Sequence, residues 1–531
     1  MGSIGRRKFM LTGGSAAVAF ALASLGQRRE VAALGQLGDL IPDPDDILDL
    51  PEGFTYEILE AKGDDMDDGY RVPGRPSGMV CVAYSSDTLV LMRNHEVELG
   101  DEGNGPYVGD QDPAAQAYDA AGMGGVTRVV VDAGSLTRIS SNLMLVGTAR
   151  NAGGGASPWG WLSCEAEVDI VDGVRHGYVF LCPLDAHKVQ TPKRLDGCGR
   201  FRHAAACVDP SNNYVYLTED RNDSCLYRFV PDDMGDPSVG SLQALAVVNV
   251  DQYDTEAMSE DQVLVVEWVP IDDPDPDTDT VRDQAHSKGA ARIVRGEGIW
   301  FDEGQIYFCA RRGGPIGAGQ IFRLIDGETA TLELIVASVD MSVLDSPATL
   351  TVAPWGDLFI GEAGDGDQYI RWIDELGQVR DFARNAKSSS ELSGVCLSPD
   401  GKALFVNMKI DGLTLVITGP FPMVVPEPGD GDGDGDGDGD GDEGDGEGGG
   451  EGHGDGDGDE GDDAGDGGNH ESGDGGDEVG DDGGPAIDYD SVRLTYLDDC
   501  ACSTQGASEP ALAAAATVAA AAALRSHLVG D

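Results

Sequence analysis

Six carboxylates stand at or near the ends of short apolar runs: Glu96, Glu165, Glu219, Asp220, Glu297 and Glu362. Strand ends and the loops beyond them are where a rigid scaffold commonly presents its chemistry. Acidic oxygens gathered from several such ends form the ligand set that calcium and other hard cations prefer. Arg295 lies two residues before Glu297, and a strand's period of two puts both on one side. Its planar guanidinium could grip the oxygens of an anion bidentately. Asn94 and Asn151 could supply neutral donors or carbonyl ligands. The six acids are therefore candidate metal ligands, and Arg295, Asn94 and Asn151 candidate catalytic residues. The competing reading of each acid is a solvated turn or a paired surface charge. His95 and His203 read as histidines that order loops rather than as ligands.

Residues 147–165, GTARNAGGGASPWGWLSCE, concentrate these signals. Three consecutive glycines let main chain approach a ligand or another strand closely. Pro158 fixes φ and ends ladder pairing, so a shaped loop is expected to lead into a short strand over 161–164, with Glu165 at its end. The plainer alternative is a tight turn carrying two core tryptophans.

The elements that must position these residues are short strands. An apolar run meets a turn such as VDPSNN, FDEG, APWG or SPDG. An aromatic-bearing run answers it and ends on a polar or acidic residue. A third often reads hydrophobic-Arg-hydrophobic. This repeated phrase, with no long helical period, predicts an all-β repeat architecture. Four-stranded blades around a centre, a β-propeller, fit it better than a β-sandwich, because radial repetition leaves only short edges. Equivalent strand ends of different blades then converge at one mouth. The glycine-rich stretch 98–121 is expected to be a long loop near that mouth. The Pro/Asp run 271–277 is expected to be a solvated loop between blades.

A formal net charge of −61 over 531 residues repels nucleic acid and anionic lipid and suits hard cations, or serves solubility alone. Residues 1–30 read as an export signal: Arg6-Arg7-Lys8-Phe9 precedes a modestly apolar run, the pattern of a twin-arginine signal, with an ordinary secretory signal or a retained anchor as alternatives. The mature chain is then expected in the periplasm or at the cell surface, the export machinery being one partner. No CxxC pair occurs among the ten cysteines, which excludes a zinc ribbon; Cys81, Cys309 and Cys396 sit in apolar runs as buried small hydrophobes would. The propeller is assigned to 31–425. Residues 426–487, made largely of Gly and Asp/Glu, form a self-repelling linker rather than a core. In 488–531, Cys500-Ala501-Cys502 is followed by an alanine-rich apolar helix and a basic end. That order resembles bacterial surface-sorting tails and implies a membrane or surface tether.

Several ordered motifs resemble the PhoX-type alkaline phosphatases and their exported relatives. They are RNHE from Arg93, the 147–165 stretch, GRFRHAA from Gly199 and YLTEDR from Tyr216. RGEGIWF follows from Arg295, then GGPIGAGQIFRL from Gly313, SPATLTVAPWGDLFIGEA from Ser346 and ELSGVCLSPDGKALFVN from Glu391. The resemblance implies a six-bladed propeller, a calcium and iron centre at the channel mouth, and hydrolysis of phosphomonoesters. Clustered cations would neutralise the ester and make an oxygen nucleophile at mild pH, while Arg295 would hold phosphate oxygens.

The chain departs from the family pattern at five places. Asn151-Ala152 stands where Asn-Cys is common, so the thiolate ligand for iron is missing. Glu165-Ala166 and Glu362-Ala363 replace acidic pairs, His203-Ala204 replaces His-Glu, and Pro347-Ala348-Thr349 replaces Pro-Asp-Asn. Two functions follow. One is an exported phosphatase using calcium, with iron as a second candidate metal, a metal-dependent phosphomonoesterase. The other is a non-catalytic, surface-tethered propeller with an eroded metal centre, binding calcium or a small anionic ligand.

Overall fold

A computed structural model describes residues 37–422 apart from residues 110 and 261. The expected signal, the acidic linker, and the tail with its Cys-Ala-Cys motif and short C-terminal helix lie outside the described residues.

The recurring turn phrases fix the local structure. VDPSNN, FDEG, APWG and SPDG each join the first strand of an antiparallel meander to its second. Among the described residues, six four-stranded meanders result. The first runs Pro76–Ala83, Thr88–His95, Gly124–Asp132 and Arg138–Thr148. The second runs Asn151–Ser157, Gly160–Glu165, Val179–Cys182 and Lys193–Arg194. The third begins with His203–Asp209 and Tyr214–Glu219, the fourth with Gly296–Asp302 and Gln305–Ala310, the fifth with Pro347–Val352 and Leu358–Glu362. The sixth comprises Leu392–Leu397, Ala403–Met408 and Leu413–Thr418, and its fourth strand is the N-terminal Thr55–Ala61.

The first strand of each meander lies beside the first strand of the next, and that of the sixth returns to that of the first. The inner strands therefore form a closed ring, and the all-β chain is arranged as a propeller. Apolar layers fill the wedges between neighbouring sheets. The largest aromatic cluster joins Phe54, Trp355, Phe359, Trp372, Phe382 and Phe421, with ring centroids 4.8–6.4 Å apart.

Three features differ from the sequence reading. Gly153-Gly154-Gly155 is not loop but part of the inner strand Asn151–Ser157, and the turn is confined to 158–159. A strand over Val263–Pro270 pairs with both Asp236–Val247 and Ala330–Ala337, so the third and fourth meanders share one nine-stranded sheet. A short helix, Val281–Ser287, follows it. The Pro/Asp run between them is not simply solvated: Asp275 accepts from Tyr178 Oη at 2.8 Å, and the carbonyl of Pro274 accepts from Arg200 N at 2.7 Å.

The glycines belong in the strand because the hub is crowded. Gly155 has an ordinary φ, yet a Cβ there would lie 2.3 Å from the carbonyl oxygen of Ala206 on the next inner strand. The requirement is for space, not for backbone freedom. Gly155→Ala is therefore expected to destabilise the ring by about 1–3 kcal/mol, the usual cost of overpacking, although alanine is the better residue in an open strand. Urea unfolding measures it; an unchanged midpoint would show that the second and third inner strands can separate freely.

Candidate ligand site at the mouth of the ring

The second strand of every meander runs toward the end at which the first strand begins. The residues just past the second strands are, in order, Glu96, Ala166, Asp220, Arg311, Ala363 and Lys409. All but Ala363 line one cavity of about 140 Å³. Arg150, Arg295 and Glu391, each immediately before an inner strand, line it too, as does Glu297 one residue inside.

Strand alternation decides which predicted residues reach this mouth. The last residue of a second strand faces the opposite way from the residue after it. Glu165 accordingly turns back between sheets. It accepts from His176 Nδ1 at 2.6 Å, Ala149 N at 2.8 Å and Gly177 N at 2.7 Å. Burial lowers the His176 pKa, but Glu165 and Asp119 outweigh it and hold the imidazole above its usual range. Glu219 is likewise enclosed, accepting from Tyr227 Oη at 2.8 Å with Arg282 Nη1 at 3.3 Å. Burial pushes its carboxyl up to about 7 against the pull of Arg282. Glu362 touches the cavity but is 1 % exposed, and Arg371 grips it through Nε at 2.7 Å and Nη2 at 3.1 Å.

Asn94 and Asn151 do not face the mouth. Asn94 donates to the carbonyls of Gly153 and Ala152 at 2.6 and 3.2 Å and accepts from Trp161 Nε1 and Ser163 Oγ. Asn151 accepts from Thr148 Oγ1 and donates to Ser163 Oγ. Both are fully buried and fasten the first meander to the second. His95 and His203 bond backbone carbonyls of Gly74 and Gly199, and burial drives both pKa values down, His203 to about 3. They order loops, as expected. The long 98–121 loop joins the second and third strands of the first meander, and its Tyr118 packs on His176 and Phe180.

Of the predicted site residues, Glu96, Asp220, Glu297, Glu362 and Arg295 are brought to one cavity. Sequence reasoning missed Arg150, Arg311, Glu391 and Lys409. Their signal was positional: one step beyond a second strand or one step before a first.

Each acid that lines the cavity has a cation against it. Lys409 bonds Glu96 directly and Glu391 Oε1 at 2.6 Å; Arg150 Nη2 reaches Glu96 Oε1 at 3.2 Å. Burial raises the Glu96 pKa, but Lys409 and Arg150 more than reverse this and hold it below its usual value. Arg295 clasps Asp220 through Nε at 2.7 Å and Nη2 at 3.0 Å. Glu297 is the least engaged, with Arg311 Nη1 at 3.6 Å. Burial and Asp220 push its carboxyl up to about 8, opposed by Arg311. Arg150 and Arg295 both occupy the left-handed region, with φ of 51° and 60°. Arginine gains nothing from that conformation, so the turn rather than strand period aims each guanidinium at the mouth. Such outliers gather where side-chain placement outweighs about 1–3 kcal/mol of strain.

The family model described as "Alkaline phosphatase PhoX" matches residues 35–142 and 135–412. This chain belongs to the PhoX family. Pseudomonas fluorescens PhoX in complex with vanadate, a transition state analogue, is similar in structure, with a TM-score of 0.56 at 18% identity, covering 72% of this chain and 98% of that one. A gluconolactonase from Xanthomonas campestris matches with a TM-score of 0.35 at 13% identity, covering 73% and 99%. No curated protein matches the chain.

The donor set of this PhoX relative does not fit the calcium and iron centre that the resemblance implies. The thiolate position is Ala152, which lines the cavity with Ala166, Ala204 and Ala348, all departures from the family pattern. Among the described residues no group of three or more His, Cys, Asp or Glu side chains is placed to hold a metal ion. Glu96, Asp220 and Glu362 instead spend their oxygens on Lys409, Arg150, Arg295 and Arg371.

Proposed function

We propose that this PhoX-family chain is an exported six-bladed propeller whose mouth binds a phosphomonoester through Arg295, Arg311 and Arg150, without the iron and calcium cluster of the family pattern. The observation that carries this reading is the convergence of those three guanidiniums, two at the fourth meander and one at the second, on one small cavity. Guanidinium forks match phosphate oxygens bidentately, and Asp220 holds Arg295 in place until the ligand arrives. Export rests on the twin-arginine pattern of 1–30, and surface tethering on the tail beyond the acidic linker. The eight cysteines of the ring, all buried free thiols, suit a chain that folds before it leaves a reducing compartment.

Hydrolysis is the second reading. It is favoured by Glu297, the mouth carboxylate least committed to a cation, which stands where it could exchange a proton with a bound ester.

Inorganic phosphate titrated into the folded protein by calorimetry tests binding. Arg295→Ala is expected to weaken it at least about tenfold, since a charge-assisted hydrogen bond contributes roughly 1.5–3 kcal/mol. Unchanged affinity in that variant, or no phosphate binding by the parent protein, would remove the proposal. A chromogenic phosphate ester, assayed with and without chelator, separates the readings. Turnover that survives chelation and is lost in Glu297→Gln supports hydrolysis, and binding without turnover supports the first reading alone.

A further inference from the structure

We infer that Lys409 is the resident cation of the mouth: its ammonium holds the carboxylates of Glu96 and Glu391 together, so that the ring closes without a metal ion. This goes beyond the phosphate reading and does not depend on it. Lys409 directly follows the second strand of the sixth meander, Ala403–Met408. Glu391 directly precedes the first strand of the same meander, and Glu96 follows the second strand of the first. The ammonium thus ties the end of the ring to its beginning. It bonds Glu391 Oε1 at 2.6 Å and the Oε2 of Glu96, to which Ser77 Oγ also donates at 3.4 Å. The other Glu96 oxygen takes Arg150 Nη2 from the entrance of the second meander.

The Lys409 side chain is 15 % exposed and that of Glu96 12 %. An ordinary solvent-facing ion pair is neither so enclosed nor so branched, and contributes little. An ammonium offers three donors and one charge, enough to bridge two carboxylates. A calcium ion in the same gap would need six to eight oxygens. The surroundings supply alanines at four mouth positions, and arginines on the remaining acids. Removing one partner of such an enclosed set leaves like charges facing each other.

The test uses the full-length protein, exposed to calcium and iron and then desalted. Wild type is expected to retain neither metal stoichiometrically and to unfold at the same temperature in chelator and in millimolar calcium. Lys409→Met, which keeps the length and loses the charge, is expected to unfold roughly 5 °C or more lower in chelator. Calcium should restore part of that loss in the variant and none in wild type. Lys409→Arg, which keeps the charge, should retain the chelator-insensitive behaviour, and it stands in if the methionine variant does not fold. Stoichiometric metal in wild type, or a wild-type midpoint lowered by chelator, overturns the inference. So does a methionine variant with the wild-type midpoint in chelator. None of these readouts involves phosphate, so failure here and failure of the proposed ligand are distinguishable.

Discussion

Arg93→Met is expected to destabilise the ring by about 3–5 kcal/mol, the cost of leaving one member of a buried ion pair without its partner. Arg93 lies on the second strand of the first meander and is fully buried. Its Nη2 donates to Glu60 Oε2 at 2.6 Å, its Nη1 to Thr414 Oγ1 at 2.6 Å and its Nε to Thr127 Oγ1 at 3.2 Å. Glu60 is on the N-terminal strand that completes the sixth sheet, and Thr414 on the strand beside it. One guanidinium therefore fastens the two ends of the circle. Methionine fills much of the space but leaves Glu60 with Arg138 alone, which reaches Oε1 at 3.1 Å from a partly exposed position. Because the loss falls at the seam, the denaturant midpoint should drop with the sheets otherwise intact. Arg93→Met combined with Glu60→Leu should recover most of the loss, since replacing both members of a buried pair by apolar groups is often neutral. A double variant no better than the single one would show that the threonine bonds, not the charge pair, make the seam.

The seam also marks what the sequence could and could not disclose. Turn phrases and two-residue alternation are local, so the strands that flank VDPSNN, FDEG, APWG and SPDG were legible, and with them the all-β repeat. That Thr55–Ala61 returns to complete the last sheet is a pairing across more than 350 positions, and no local period encodes it. The site was half legible for a related reason. Acids at strand ends stand out by type, yet a one-residue step reverses the face. Glu165 and Glu219 were therefore as visible in the sequence as Glu96 and Asp220, although they turn away from the mouth. Lys409 and Arg311 occupy the equivalent outward step in their own meanders. Their side chains are cations and carry none of the signal of a metal ligand. The triple glycine was visible as a place of close approach, but whether it met a ligand or a neighbouring strand required the position of Ala206.

The pH dependence of stability should fall, not rise, between about pH 5 and 8, with Glu297 as its main source. Burial and Asp220 push the folded carboxyl up to about 8, while Arg311 opposes them. An unfolded glutamate titrates near 4.3. Over that window the folded chain keeps a proton that the unfolded chain has released, and the folded state loses ground at up to about 1.4 kcal/mol per pH unit. The contribution is fully present below the unfolded value and is gone once pH passes the folded one. Glu219 and Glu362, raised to about 7, add slopes of the same sign. Glu96 acts in the opposite sense: held low by Lys409 and Arg150, it stabilises at neutral pH and is lost on acidification. Glu297→Gln mimics the protonated form, so it should be nearly neutral at pH 5 and stabilising by a few kcal/mol at pH 8. Urea titrations at both values measure this. An equal shift at the two pH values would assign Glu297 a packing role only. A wild-type stability that is flat across the window in the absence of chelator, and falls once chelator is added, would place a divalent cation against Glu297 and contradict the metal-free mouth.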